Sequence, residues 1–392
     1  MKQNQTLNVR TGVGYPVRMN IPDCGNSIQM HAGHLTPLRK FWANAGAFCF
    51  PVGDYDVIHT INSVPLLTSA PFIITFESKI PRFWPNNRIE SFLNNILVEK
   101  LTSNQCVRLL AMSEYAQRAA IQANPSINSP ALLDKFEVLY PHVELKRNDP
   151  KECNSDIRLL FVGADCMRKG LPALLKAHKL LLKRNVKIET HVVSSLQCNE
   201  NDYFGPPDKQ LITDTVGNLR LPNIIHYGQV PNETVLQLME HCDFLVLPTF
   251  HDTFGYVSIE AMSCGTPVIA TATCAQPEII EHGKSGFLLP FDVDEQAGKW
   301  VWFERAGEQG YVQAYVQQVD ALAHSIANVV ESVADDRSRY EALSEGALTQ
   351  AHNKFGKVRA VKRLRQLYHS AVTDHVPAHE PSLSSEDPLV IR

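Results

Sequence analysis

Between residues 57 and 270, short apolar runs alternate with amphipathic ones, and this alternation constrains the fold more than any other feature of the chain. Val57–His59, Phe72–Phe76, Leu109–Met112, Leu159–Val162, Thr190–Val193, Ile224–Tyr227, Phe244–Leu247 and Val268–Ala270 are of strand length and strongly apolar. Strands covered on both faces read as continuous apolar runs. Between many of them apolar residues recur three and four apart. One such stretch is Leu171–Arg184, and another runs from Asn232, the expected N-cap, to about His241. Strands alternating with helices predict an α/β fold with parallel sheets and helices on both faces.

At 392 residues the chain is too long for one ordinary domain. The polar stretch Leu145–Asp156 (LKRNDPKECNSD) reads as a linker. It sets a first α/β domain at 1–150 and a second at 151–333, followed by C-terminal helices over 334–375 and a tail over 376–392. Leu322, Ile326, Val329, Val330 and Val333 make a helical stripe, and a basic helix follows at about 354–370. The Pro- and Ser-rich tail (VPAHEPSLSSEDPLVIR) has the composition of a disordered segment. The first 55 residues are hard to read, and no strand is evident before Thr11. Gly12-Val13-Gly14 is either an ordinary turn or a glycine turn beside phosphate.

Composition narrows the class. Hydrophobic residues at 44%, charged residues at 20% and a net charge of −4 describe a globular protein with no electrostatic footprint for nucleic acid. No run of ~18 apolar residues marks a membrane span. The opening MKQNQTLNVR lacks a signal peptide's apolar centre. Nine scattered cysteines without a C-x-x-C pair suit reduced thiols. The expectation is a soluble cytoplasmic enzyme.

Residues 242–292 carry the chemistry. The strand Phe244–Leu247 runs into Pro248 and a loop. A helix then starts near Gly255 and stops at Gly265-Thr266-Pro267. A loop at the carboxyl end of a parallel strand, opening onto a helix N-terminus, suits a diphosphate. Asp252 and Glu260 bracket the turn, and carboxylates accept hydrogen bonds from the vicinal hydroxyls of sugar and ribose.

This segment resembles the signature of group 1 (family 4) retaining glycosyltransferases of the GT-B fold, in which two acidic residues flank seven others around a glycine turn. Here the pattern stands as Asp252, seven residues, then Glu260, with Thr253-Phe254-Gly255 in the turn. The family's usual first residue is Glu, so Asp252 is a shortened variant. The likeness continues through Glu260-Ala261-Met262, Gly265-Thr266-Pro267-Val268-Ile269, Pro277-Glu278-Ile279-Ile280 and Gly283–Gly286. It is strong over 157–295, returns at 319–370 and is faint at 54–145.

The resemblance implies two Rossmann-like domains facing a cleft, with a C-terminal helix packing back across both. It assigns Glu260 to the donor ribose, Asp252 to the donor sugar, and the amides near Thr253, Phe254 and Gly255 to the diphosphate. In Gly163-Ala-Asp-Cys-Met-Arg168-Lys169-Gly170, Lys169 stands where the family neutralises the leaving diphosphate. Ala164 replaces an expected Arg, and Arg168 is the candidate substitute. The loop Tyr227-Gly228-Gln229-Val230 corresponds to the one lying over the base.

The N-terminal half departs further from the pattern. Glu77 stands where many members carry His, and is either a base for the acceptor hydroxyl or a loop carboxylate. His59 either lines the cleft or simply ends its strand. Ser113 is a candidate helix cap. Asp54-Tyr55-Asp56 spells a metal-binding D-x-D of another fold, but it opens a strand far from the nucleotide elements and carries no metal role. Lys79–Arg88 mixes cations with aromatics. It suits an acceptor-domain loop, and less well a membrane surface or a lipid-linked acceptor.

The implied reaction moves a sugar from a nucleotide-diphosphate sugar to an acceptor hydroxyl with retention, in polysaccharide or glycolipid assembly. It needs no metal or other cofactor and takes a glycan or lipid-linked acceptor. The alternatives are a non-catalytic sugar-nucleotide-binding protein, or an epimerase or phosphorylase of the same architecture.

Overall fold

A computed structural model of the chain describes residues 6–35, 42–197 and 208–373. The expectation for the tail 376–392 falls outside these residues. The first sheet contains β1 (Leu7–Thr11), β2 (Ile28–Ala32), β3 (Val57–Ile61), β4 (Phe72–Phe76), β5 (Cys106–Ala111) and β6 (Phe136–Val138). The second contains β7 (Ile157–Val162), β8 (Ile188–Val193), β9 (Ile224–Gly228), β10 (Phe244–Leu247), β11 (Val268–Thr271) and β12 (Gly286–Leu289). Spatial order is β2-β1-β3-β4-β5-β6 in one and β9-β8-β7-β10-β11-β12 in the other. Every pairing within both sheets is parallel. The apolar runs are these strands, and β4 and β10 are buried at every position.

The helices that matter for the site are α1 (Tyr15–Asn20), α2 (Arg88–Thr102), α3 (Glu114–Ala123), α4 (Leu171–Lys183), α5 (Asn232–His241) and α6 (Tyr256–Ser263). They are followed by α7 (Tyr311–Asp335), α8 (Ser338–Phe355) and α9 (Lys357–Thr373). Strand order reverses between β1 and β3 in the first sheet, and between β7 and β10 in the second. Loops leaving the carboxyl ends of strands at such a reversal diverge and open a crevice, where ligands bind in α/β folds.

Several expectations are corrected. A strand does precede Thr11. It alternates buried Leu7, Val9 and Thr11 with half-buried Asn8 and Arg10, so it lacks the continuous apolar run that marks its neighbours. Arg10 is accommodated by donating to the His31 carbonyl at 3.1 Å and lying against Tyr55. Asn232 is the first helical residue of α5 rather than its cap. Pro231 holds the cap position, and the Asn232 amide reaches Glu260 at 3.5 Å.

The polar stretch 145–156 packs on the second half through Lys151. Lys151 is buried, and its ammonium donates to the Met239 carbonyl at 3.1 Å, the Thr266 hydroxyl at 3.0 Å and the Cys242 carbonyl. Burial lowers the Lys151 pKa from 10.5 to about 8.

α9 returns to the first sheet, burying Leu364, Leu367, Tyr368 and Ala371 against Leu7, Val9 and Val57. Its Tyr368 hydroxyl meets His59 Nδ1 at 2.7 Å, while His59 Nε2 meets the Thr75 hydroxyl at 2.9 Å. His59 is therefore fully buried beneath α9 and does not line the cleft. Asp56 likewise serves the fold, accepting the Asn8 amide at 2.7 Å.

Candidate active site

Strand β10 ends at Pro248, which has no N–H for the ladder, and the chain turns out into residues 249–255. Gly255 caps α6 in the left-handed region (φ 84°, ψ 58°). A Cβ there would collide with the Gln276 amide. The glycine thus suits both the left-handed conformation and the close packing on Gln276. Gln276 donates to the Phe254 carbonyl at 3.1 Å and accepts from the Ser258 hydroxyl at 2.9 Å, clamping the turn from below. Phe254 is buried in the core beside it.

The facing loop leaves β7. Gly163 is bare because the Lys169 stem crosses it, with Cγ 2.8 Å from where a Cβ would stand. Gly170, left-handed at φ 78°, lies directly under the Pro248 carbonyl. These two glycines lead Lys169 across to the loop after β10, where its ammonium forms an ion pair with Asp252. Both side chains are mostly buried, at 14% and 18% exposure, so the pair is screened less than a surface pair. The loops at the β7/β10 reversal thus meet through one cation and one carboxylate.

Arg168 donates to the Asp165 carboxylate at 3.3 Å and to the His251 carbonyl at 2.8 Å, and so ties the two loops together. Gly228 ends β9 in the left-handed region (φ 67°), and Val230 packs partly buried on the second-half core.

Glu260 sits one turn into α6 and is 7% exposed. Burial raises its pKa, opposed by hydrogen bonds from Tyr15 and Asn232. Tyr15 belongs to α1, on the other half of the molecule. Glu260 and Tyr15 line a cavity of about 420 Å³ together with Arg18, Lys146 and Asn232. Tyr15, Arg18 and Gln276 were not foreseen in the sequence. The only local signal was the glycine pair before Tyr15.

Glu77 follows β4, forms an ion pair with Arg82 at 3.1 Å and takes its backbone position from Asn62. With Gly12, Val13, Asn62, Ser63 and Trp84 it lines a second cavity, of about 530 Å³, at the β1/β3 reversal. The Tyr256 phenol at the start of α6 has a raised pKa. Burial dominates, and the negative charges of Glu77 and Asp252 add to it. α6 thus contributes Glu260 to the first cavity, while its Tyr256 feels the charge of Glu77 beside the second.

Two further contacts join the halves of the molecule. Glu278 accepts the amides of Glu114 and Tyr115 at 2.8 and 2.6 Å, adding a carboxylate from the second half to the N-terminus of α3, which Ser113 also caps. Asn20 donates to the Tyr256 hydroxyl at 2.9 Å. Elsewhere Glu189, His191 and His241 converge within 4.8 Å. However, both His191 nitrogens are bonded, to Glu189 and the Tyr227 hydroxyl, and the Arg158 guanidinium lies 3.8 Å from Glu189.

Residues 143–308 match the family model Glycosyl transferases group 1. A 41.2 kDa protein of the cps region of Klebsiella pneumoniae is 27% identical over 207 residues, covering 50% of this chain and 51% of that protein. The D-inositol 3-phosphate glycosyltransferase of Pseudarthrobacter chlorophenolicus is 25% identical over 256 residues, covering 62% and 52% respectively. The chain thus spans about half the length of these curated relatives. Among solved structures, Anabaena HepE in complex with UDP-glucose superposes with a TM-score of 0.57 at 16% identity, covering 93% of this chain and 100% of that one. At that identity the likeness concerns the fold, which is GT-B.

Proposed function

We propose that this chain, with a group 1 glycosyltransferase domain over residues 143–308 in a GT-B architecture, moves a sugar from a nucleotide-diphosphate sugar to an acceptor hydroxyl with retention of configuration. One observation carries the reading most. The strand-order reversal of the second sheet brings Lys169, Asp252 and the α6 N-terminus together, with Glu260 one turn further on. Glu260 receives the ribose hydroxyls, and the helix N-terminus faces the diphosphate. Asp252 holds a donor-sugar hydroxyl and releases Lys169 to the phosphate, where negative charge grows as the glycosidic bond breaks. The departing phosphate oxygen takes the acceptor's proton, so no separate base is required and Glu77 orients the acceptor. With Lys169 and the helix neutralising the diphosphate, donor binding proceeds without a metal ion.

The cps-region relative and the named glycosyltransferase support a role in polysaccharide or glycolipid assembly, and the UDP-glucose complex of HepE supports a uridine donor. The acceptor is glycan or lipid-linked and docks in the cavity that Glu77 and Trp84 line.

Calorimetric titration of UDP-, GDP- and ADP-sugars, with and without EDTA, tests the donor site. One donor binds, EDTA changes nothing, and Glu260→Ala weakens that binding at least about tenfold, as loss of charged hydrogen bonds predicts. A folded Glu260→Ala protein with unchanged affinity would remove Glu260 from the donor site.

A further inference from the structure

The cavity of about 530 Å³ at the β1/β3 reversal is lined by groups that the fold orients but does not use up. Asn62, directly after β3, is 8% exposed and left-handed at φ 58°, a conformation that Asn tolerates better than most residues. Its Oδ1 accepts the Glu77 amide at 3.1 Å, which fixes how the side chain is turned. Its Nδ2 is left as a donor without a partner among the described residues. Glu77 offers the complement. One of its carboxylate oxygens accepts from Arg82 at 3.1 Å, and the other has no hydrogen bond among the described residues. Trp84 completes the set. Asn44 pins its backbone, donating to its carbonyl at 2.9 Å and accepting its amide at 3.0 Å, and the Lys79 ammonium lies 4.8 Å over the ring. Held in this way, Trp84 is still 51% exposed.

An amide donor, a carboxylate oxygen and a guanidinium beside an aromatic ring match a pyranose. Its hydroxyls both donate and accept, and its C–H face is apolar. Charge narrows the class further. Among the described residues lining the cavity, Glu77 and Arg82 alone carry permanent charge, and they neutralise one another. A phosphate or carboxylate on the bound unit would have to take Arg82 from Glu77 and lie beside the carboxylate left behind. We infer that the cavity takes an uncharged pyranose, the terminal unit of the acceptor, with Asn62 and Glu77 holding its hydroxyls and Trp84 packing on its C–H face. This rests on the reading of the cavity as the acceptor site, and it makes Asn62 and Trp84 residues that determine acceptor choice.

The test is saturation-transfer NMR on the full chain in the presence of UDP. The probes are the methyl glycosides of glucose, galactose, mannose and N-acetylglucosamine, set against methyl glucuronide and glucose 6-phosphate. At least one neutral glycoside receives saturation on its ring C–H protons, and the charged sugars bind roughly tenfold more weakly or not at all. Asn62→Asp keeps the Oδ1 contact and tolerates the left-handed backbone, but turns the free donor into an acceptor. Asn62→Asp and Trp84→Ala each weaken the neutral glycoside by about tenfold, with the melting temperature close to that of wild type.

Charged sugars binding as well as neutral ones overturn the uncharged class. Undiminished binding of the neutral glycoside in both variants moves it out of this cavity. Binding of no sugar by a protein that still binds UDP overturns the inference and leaves the donor site standing. A glycoside that binds here and is lost in the variants, yet accepts no sugar from any UDP-, GDP- or ADP-sugar, supports the site and counts against the transfer reading instead.

Discussion

On the proposed mechanism, Lys169 is the residue whose contribution changes most along the reaction. In the free protein its charge is matched by Asp252, and the proposed transition state places phosphate oxygens that are gaining charge beside it. An interaction that strengthens towards the transition state affects turnover more than binding. Lys169→Ala therefore lowers kcat more than about a hundredfold, in line with the loss of one such charge contact, while donor affinity changes much less. Equal losses in kcat and in donor affinity would mean that Lys169 binds the ground state only. The glycines beside it are part of the same device, since a side chain at 163 would displace the lysine stem and one at 170 would push against the Pro248 carbonyl.

At the scale of elements, α9 is joined to β3 through the His59–Tyr368 contact, which burial makes sensitive to acid. His59 is fully enclosed, and burial lowers its pKa from 6.5 to about 3. Between those values the unfolded chain takes up a proton that the folded protein refuses. The stability is therefore present above pH 6.5 and is lost as pH falls from 6.5 towards 3. His142, lowered to about 4, and His251, lowered to about 3, act in the same direction. The melting temperature falls between pH 7 and pH 4.5, and His59→Gln, which can still hydrogen-bond but does not titrate, shows a shallower decline. A decline as steep as that of wild type would show that His59 is not among the groups responsible.

At the scale of the whole molecule, no described helix is long and apolar enough to cross a membrane. The first half nevertheless exposes Trp84 (51%), Ile89 (74%), Phe92 (64%) and Ile96 (38%). The last three are spaced three and four apart along one stripe of α2, with Arg88 exposed at its start and Lys79 lying 4.8 Å above the Trp84 ring. Aromatic and aliphatic groups bordered by cations suit the headgroup region of an anionic bilayer, and Trp84 also lines the acceptor-side cavity. The protein should sediment with phosphatidylglycerol vesicles and much less with phosphatidylcholine ones, and Phe92→Glu should reduce that binding severalfold. Failure of the wild-type protein to sediment with either would assign the stripe to another partner.

The sequence by itself determined the features that local pattern encodes. Continuous apolar runs specified interior parallel strands, and a strand, Pro248, a loop and Gly255 specified the turn that presents Asp252 and Glu260. Such patterns are legible because burial on both faces and left-handed backbone restrict residue type at each position. β1 escaped for the converse reason, since its half-buried polar residues break the apolar run. The partners of the site residues were decided by tertiary structure. Asn20 and Tyr256 are 236 positions apart and His59 and Tyr368 are 309 apart, while Tyr15 packs on Tyr256 only because α1 of one half lies on α6 of the other. Packing between distant elements also fixed Gln276 beneath Gly255 and turned Arg168 into a loop tie. No local pattern encodes such contacts, because each depends on where two separately formed sheets come to rest against one another.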